Sequence, residues 1–155
     1  MSDARFEDGG PSALHLKALE PEDLPVISAL IQDAVFPASE MAWRARERRF
    51  AILLNRFRWE DDGPGRHTPE RVQSLLVIND ALKVASQGVL RGDADMILSL
   101  LSVTFEPGED GAGQVVLTLA GDGAVSIGVE ALDVTLKDVT RPYIAPSKSV
   151  PSHPE

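Results

Sequence analysis

Apolar residues along this chain recur first at a helical spacing and then, for most of its length, at every second position. Residues 14–19 read as a short opening strand. Leu24, Ile27, Leu30, Ile31 and Ala34 then fall on one stripe of a helix. Pro21 suits a first helical position, and Glu20, Glu22 and Asp23 put negative charge where the helix dipole favours it. Pro25 still lies in the first turn, where a missing N–H costs little, and the helix should stop before Pro37.

From Met41 onward the period is two. A hairpin with residues 46–49 at its tip and Ala45 opposite Phe50 puts Met41, Trp43, Ala45, Phe50, Ile52 and Leu54 on one face. Arg44, Arg46 and Arg49 fall on the other face with Ala51 and Leu53, the usual division of a half-buried sheet. Residues 61–66 form a Gly/Pro loop. Residues 72–78 and 81–87 read as a second hairpin about Asn79 and Asp80, a turn without the glycine of the strongest hairpin signals.

Residues 93–100 fit two descriptions. One is a short helix capped by Asp93 and containing Met96, Ile97 and Leu100. The other is a strand that starts early, with Ile97, Leu101, Val103 and Phe105 on one face. We expect a helical turn running into a strand from about Leu101. The last hairpin is the clearest, because Val115, Leu117 and Leu119 alternate with polar or small residues, as do Val125, Ile127 and Val129. A loop of Gly121, Asp122 and Gly123 puts Leu119 opposite Val125 and Leu117 opposite Ile127, with Gly123 supplying a positive φ. Leu132, Val134 and Leu136 continue the alternation, although Leu132, Leu136 and Val139 equally fit a helix.

Together these elements predict one α+β domain over residues 13–140, after a loose polar leader (1–12) and before a Pro-rich tail (141–155). Its main part is an antiparallel sheet, curled or barrel-like, packed against one N-terminal amphipathic helix. A β-sandwich with two short helices is the other compatible architecture. Residues 14–59 and 82–132 both read as strand, helix, hairpin, a faint echo that suggests pseudo-duplication.

Composition narrows the function classes. The chain of 155 residues contains no cysteine, which excludes disulfides and thiolate chemistry and fits a reducing, cytoplasmic setting. The N-terminus lacks the basic and apolar regions of a secretory signal, and the longest nearly apolar run, residues 96–105, is far short of a membrane span. The net charge of −9 argues against non-specific contact with nucleic acid or anionic membrane.

That charge is unevenly spread. Arg44, Arg46, Arg48, Arg49, Arg56, Arg58, Arg66 and Arg71 make residues 44–71 net +3 and leave the remainder at −12. Guanidinium forks match carboxylate and phosphate geometry, so Arg44, Arg46, Arg48, Arg49, Arg56 and Arg58 are candidate contacts for an acidic protein partner or a small anion. The plainer reading is the solvated face of a hairpin, which also discourages edge-to-edge association. Arg56 and Arg58 continue the face of Ile52 and Leu54, which puts them at the rim of the core. Phe57 and Trp59 interleave with them, a pattern that suits base stacking but more often marks a strand end.

No other constellation points to catalysis. His15, His67 and His153 are too scattered for a metal site, and the pairs Asp61–Asp62, Asp93 with Asp95, and Glu109–Asp110 all fall in predicted loops. Gly108, Gly111 and Gly113 have the wrong order and context for a phosphate cradle. We therefore assign no catalytic residue, metal or cofactor. The sequence favours a non-catalytic binding or adaptor module, with a small enzyme or ligand-binding protein holding a pocket between helix and sheet as the alternative. An edge strand left open in either fold could pair with its copy in a homodimer.

Three segments carry a family resemblance: LHLKALEPEDLPVISALIQDAV from Leu14, ERRFAILLNRFRWE from Glu47, and LSLLSVTFEPG from Leu98. Together they resemble an alphaproteobacterial family catalogued only as a domain of unknown function, over residues 14–140. The resemblance implies a bacterial cytoplasmic protein and carries no activity, cofactor or catalytic residue.

Overall fold

Alternating apolar positions carry most of this chain into sheet. The computed structural model describes residues 13–57, 70–89, 95–140 and 143–144. Its elements begin with β1 (His15–Ala18), a 3-10 turn (Pro21–Asp23) and α1 (Leu24–Leu30). The strands that follow are β2 (Val35–Pro37), β3 (Met41–Arg44), β4 (Arg49–Phe57), β5 (Glu70–Ile78) and β6 (Ala81–Gln87). They continue with β7 (Ile97–Pro107), β8 (Gly113–Leu119), β9 (Gly123–Val129), β10 (Val134–Asp138) and β11 (Tyr143–Ile144). The expected leader, the 61–66 loop, Asp93 and most of the Pro-rich tail lie outside the described residues. The segment assigned to the tail nonetheless begins with β11, which pairs with β5.

The sheet runs β1-β10-β5-β4-β2-β7-β8-β9-β6, with β3 also on β4 and β11 also on β5. Its neighbours pair antiparallel. The ends of the path, β1 and β6, do not pair among the described residues, so the sheet is not a closed barrel. The join between its two parts is narrow: β2 meets β7 only from Val35↔Ser99 to Pro37↔Ile97. Beyond that point β7 turns to β8 through an irregularity between Leu100 and Ser102. The sheet folds over there, and side chains from both parts meet in one core that includes Phe36, Ile52, Leu76, Leu100, Leu117 and Ile127.

The short helix buries Leu24 and Ile27 and stops at Leu30, earlier than its apolar stripe suggested. After it the backbone exchanges helical bonds for bonds to β7: Asp33 N–H donates to the Leu100 carbonyl, and Leu100 N–H to that of Ala34. Asp33 has φ +68°, which turns the chain while Ile31 and Ala34 stay buried. No helix among the described residues is long and apolar enough to cross a membrane.

Both clear hairpins keep their expected faces and slip in register by two. In the first, Trp43 rather than Ala45 lies opposite Phe50, and Ala45–Glu47 forms a 3-10 turn closed by Arg48 at φ +55°. In the last, Leu117 lies opposite Val125 and Leu119 opposite Gly123. The positive φ values fall at Gly121 (+80°) and Asp122 (+68°) instead of Gly123. A slip of two preserves which side chains face inward, so the hydrophobic pattern is satisfied by either register.

The expected hairpin of β5 and β6 does not form. β5 is flanked by β4 and β10, and β6 pairs with β9 in the other part of the sheet. Asn79 and Asp80 are thus a corner between the two parts. The stretch from Val129 to Val134 is a second such corner, because β10 leaves β9 and inserts between β1 and β5. The two corners bond reciprocally: Asn79 N–H donates to the Asp133 carbonyl at 2.9 Å, and Glu130 N–H to the Asp80 carbonyl at 2.9 Å. The 93–100 helix is also corrected, since β7 begins at Ile97; the face expected for an early strand is corrected too, because Ile97 and Leu101 are exposed while Leu98, Leu100 and Val103 are buried.

Candidate functional site

Parity along β4 decides where its arginines go. Phe50, Ile52, Leu54 and Arg56 point inward, and Arg49, Ala51, Leu53 and Asn55 point to the outer face. Arg44 sits directly opposite Arg49 across the β3–β4 pair. Like charges in that position repel. Glu47, in the connecting turn, offsets part of this, with its carboxylate 3.8 Å from Arg44 Nη1 and 3.8 Å from Arg49 Nη1. Arg49 Nε also donates to Asn79 Oδ1 at 3.4 Å. Arg48 forms an ion pair with Glu130 across the second corner. Arg46 is exposed and makes no ion pair among the described residues.

Register extends this face across the sheet. Ala42, Ala51, Val77, Thr135 and Lys17 form one row of opposed residues, and Leu53, Leu75, Lys137 and His15 form the next. Leu53, Leu75 and Val77 are only half-buried. They floor an open groove of about 490 Å³, with Arg44 and Arg49 on its rim. Lys17 and Lys137 stand exposed on the far side, and Lys17 lies 3.9 Å from Asp133. The outer face is therefore an apolar floor with cationic groups at both margins, and the exposed Glu40 is the one acid among the described residues that line the groove.

Sequence reasoning did not find Lys17 and Lys137. Lys17 is a polar position within an expected strand, so its exposure was readable. Its approach to the arginine hairpin depends on β10 entering beside β5, which no local pattern announces.

Arg56 is a different case. It is fully buried, where a place at the rim of the core was expected. Its Nη2 donates to Asp138 Oδ1 at 2.9 Å and Oδ2 at 3.2 Å, its Nε to Ser74 Oγ at 2.9 Å, and its Nη1 to the Phe57 carbonyl at 3.1 Å. Ser74 Oγ donates to Asp138 Oδ1 at 2.6 Å, and Leu14 N–H to Asp138 Oδ2 at 2.9 Å. The cluster ties β4, β5 and β10 to the start of the first strand. A guanidinium held this way is part of the core and is closed to an external anion.

Arg71 likewise serves the fold. Its guanidinium stacks 3.9 Å from the Phe57 ring centroid and donates to the Asn55 carbonyl and side-chain oxygen. Arg58, Trp59, Arg66, His67 and His153 lie outside the described residues. Of the six candidate arginines, Arg44, Arg46, Arg48 and Arg49 gather at one end of the outer face.

A second concavity lies between α1 and β7. It has a volume of about 450 Å³ and is lined by Leu24, Pro25, Ser28, Leu101, Val103 and Phe105 among others. Among the described residues no ionisable side chain lines it.

No curated protein and no solved structure matches this chain. A family model does, over residues 14–153, and so reaches past the expected end of the domain into the Pro-rich segment. The chain belongs to the family DUF2948, described as proteins of unknown function.

Proposed function

We propose that this protein is a non-catalytic binding module whose outer sheet face engages an acidic segment of a partner protein. The observation that carries the reading is the cross-strand pair Arg44 and Arg49 on the rim of a half-buried apolar groove. A sheet built for stability alone gains nothing from two guanidiniums opposed across a strand pair. An incoming carboxylate relieves that repulsion and accepts forked hydrogen bonds, and the Leu53, Leu75 and Val77 floor takes the apolar part of the same segment. Arg46, with Lys17 and Lys137 across the groove, extends the positive field. The absence of cysteine supports a reducing compartment such as the cytoplasm as its setting.

The alternative of an enzyme with a pocket between helix and sheet has less support. The concavity beside α1 exists, but among the described residues its lining offers the Ser28 and Thr104 hydroxyls without an ionisable acid or base to activate them. The reciprocal corners favour pseudo-duplication, whereas the helix that the echo places within residues 82–132 does not form among the described residues.

The test is co-purification from the native cell with the full chain and an Arg44→Ala/Arg46→Ala/Arg49→Ala variant, at low and at raised salt. All three side chains are exposed, so the variant folds. We expect partner retention to fall about tenfold or more, a loss larger than exposed ion pairs normally give. Retention unchanged in the triple variant rejects the reading.

A further inference from the structure

β7 is the longest strand, with 11 residues, and one of its edges is only partly used. Its first edge lies on β8 from Leu100 to Pro107. Its second edge lies on β2 only at residues 97–99. Leu100 then bonds to Asp33 and Ala34, and Val103 N–H donates to Ser28 Oγ of α1 at 3.1 Å. In an antiparallel ladder alternate residues turn both backbone groups to the same side. Val103 N–H faces α1, so the Val103 carbonyl and the N–H and carbonyl of Phe105 face α1 as well. These three groups have no hydrogen-bond partner among the described residues. Pro107 falls in the same phase, where its missing N–H would point to that side; proline in a strand is expected to turn its nitrogen to an open edge.

The helix stands where a neighbouring strand would be. Ala34 meets Leu100 and Ser28 meets Val103, so α1 runs antiparallel to β7 and its start lies toward Phe105. Between them is the groove of about 450 Å³, whose helix wall is Leu24, Pro25 and Ala29. Its strand wall includes Leu101, which the irregularity in β7 leaves 37% exposed. An open strand edge facing a helix across an apolar groove is the arrangement by which proteins add a peptide as an extra strand.

We propose that this groove takes up an extended peptide of alternating apolar and basic residues, bonded through its backbone to the Val103 carbonyl and to the N–H and carbonyl of Phe105. Charge selects a basic occupant. Glu106, Glu109 and Asp110 are exposed just beyond Phe105, at the end of the strand that forms one wall of the groove. Among the described residues no lysine, arginine or histidine lines the groove. The surface shares no residue with the Arg44–Arg49 face and has the opposite sign.

Amide exchange on the 15N-labelled full chain tests the edge first. In the free protein Phe105 N–H exchanges quickly while Thr104 and Glu106, bonded to β8, are protected; a protected Phe105 amide in the free protein overturns the proposal. The probe is then the peptide acetyl-Lys-Val-Leu-Val-Lys-amide, with acetyl-Glu-Val-Leu-Val-Glu-amide as its acidic counterpart. The basic peptide slows Phe105 exchange about tenfold or more at saturation and shifts the Ser28 and Phe105 resonances, and the acidic one does not. The exposed double variant Glu106→Lys/Glu109→Lys reverses the preference. Equal response to both peptides, or shifts confined to other surfaces, overturns the proposal. So does protection of Phe105 that grows with protein concentration alone, which assigns the edge to a second copy.

Discussion

Moving a guanidinium out of water costs several kcal/mol, and at Arg56 this is offset by hydrogen bonds to Asp138, Ser74 and the Phe57 carbonyl. Removing one partner leaves the other charge buried alone. Asp138→Ala should lower the unfolding free energy by about 3–5 kcal/mol. Replacing both members, as Arg56→Met with Asp138→Leu, should recover most of that loss, because no uncompensated charge remains. Urea unfolding of the two variants checks the pair, and a double variant no more stable than Asp138→Ala would contradict it. The inward phase of Arg56 was legible from Ile52 and Leu54. Its acid lies 82 residues further along the chain, and no spacing rule connects them.

At the scale of the element, alternation fixes the face of a residue but leaves its partner open to slips of two. That is why the last hairpin buries its expected inward set with different opposed pairs, while in the first the same slip carries Ala45 into the exposed turn and leaves Trp43 partly exposed. β7 shows the opposite failure. Leu98 and Leu100 are buried, and so is Val103, which breaks strict alternation. The extra residue at Leu101 absorbs the change of phase. The sequence around residues 97–105 was ambiguous for this reason, since neither period fits across an inserted residue. Deleting Leu101 should keep Leu98, Leu100, Val103 and Phe105 in one phase and leave a folded protein. Deleting Thr104 should turn the chain beyond it to the wrong face and cost several kcal/mol more. Thermal melts followed by circular dichroism separate the two deletions.

For the whole molecule the strand order matters more than any single pair. Most of the sheet neighbours were not legible, because β6 and β10 each leave the strand before them and cross to the other part of the sheet. The same crossing brings Lys17 and Lys137 to the face that carries Arg44 and Arg49. Neither part is complete without a strand from the other segment. A chain divided after Val89 should therefore give two pieces that are unfolded alone and regain strand content when mixed. Circular dichroism and size-exclusion chromatography of the separate and mixed pieces test this; an independently folded piece would contradict it. The insertion of β10 also sets a timetable for synthesis. A nascent chain leaving the ribosome exposes one edge of β5 and holds Arg56 without its acid until Asp138 emerges. Chaperone contact during translation should be concentrated in that interval.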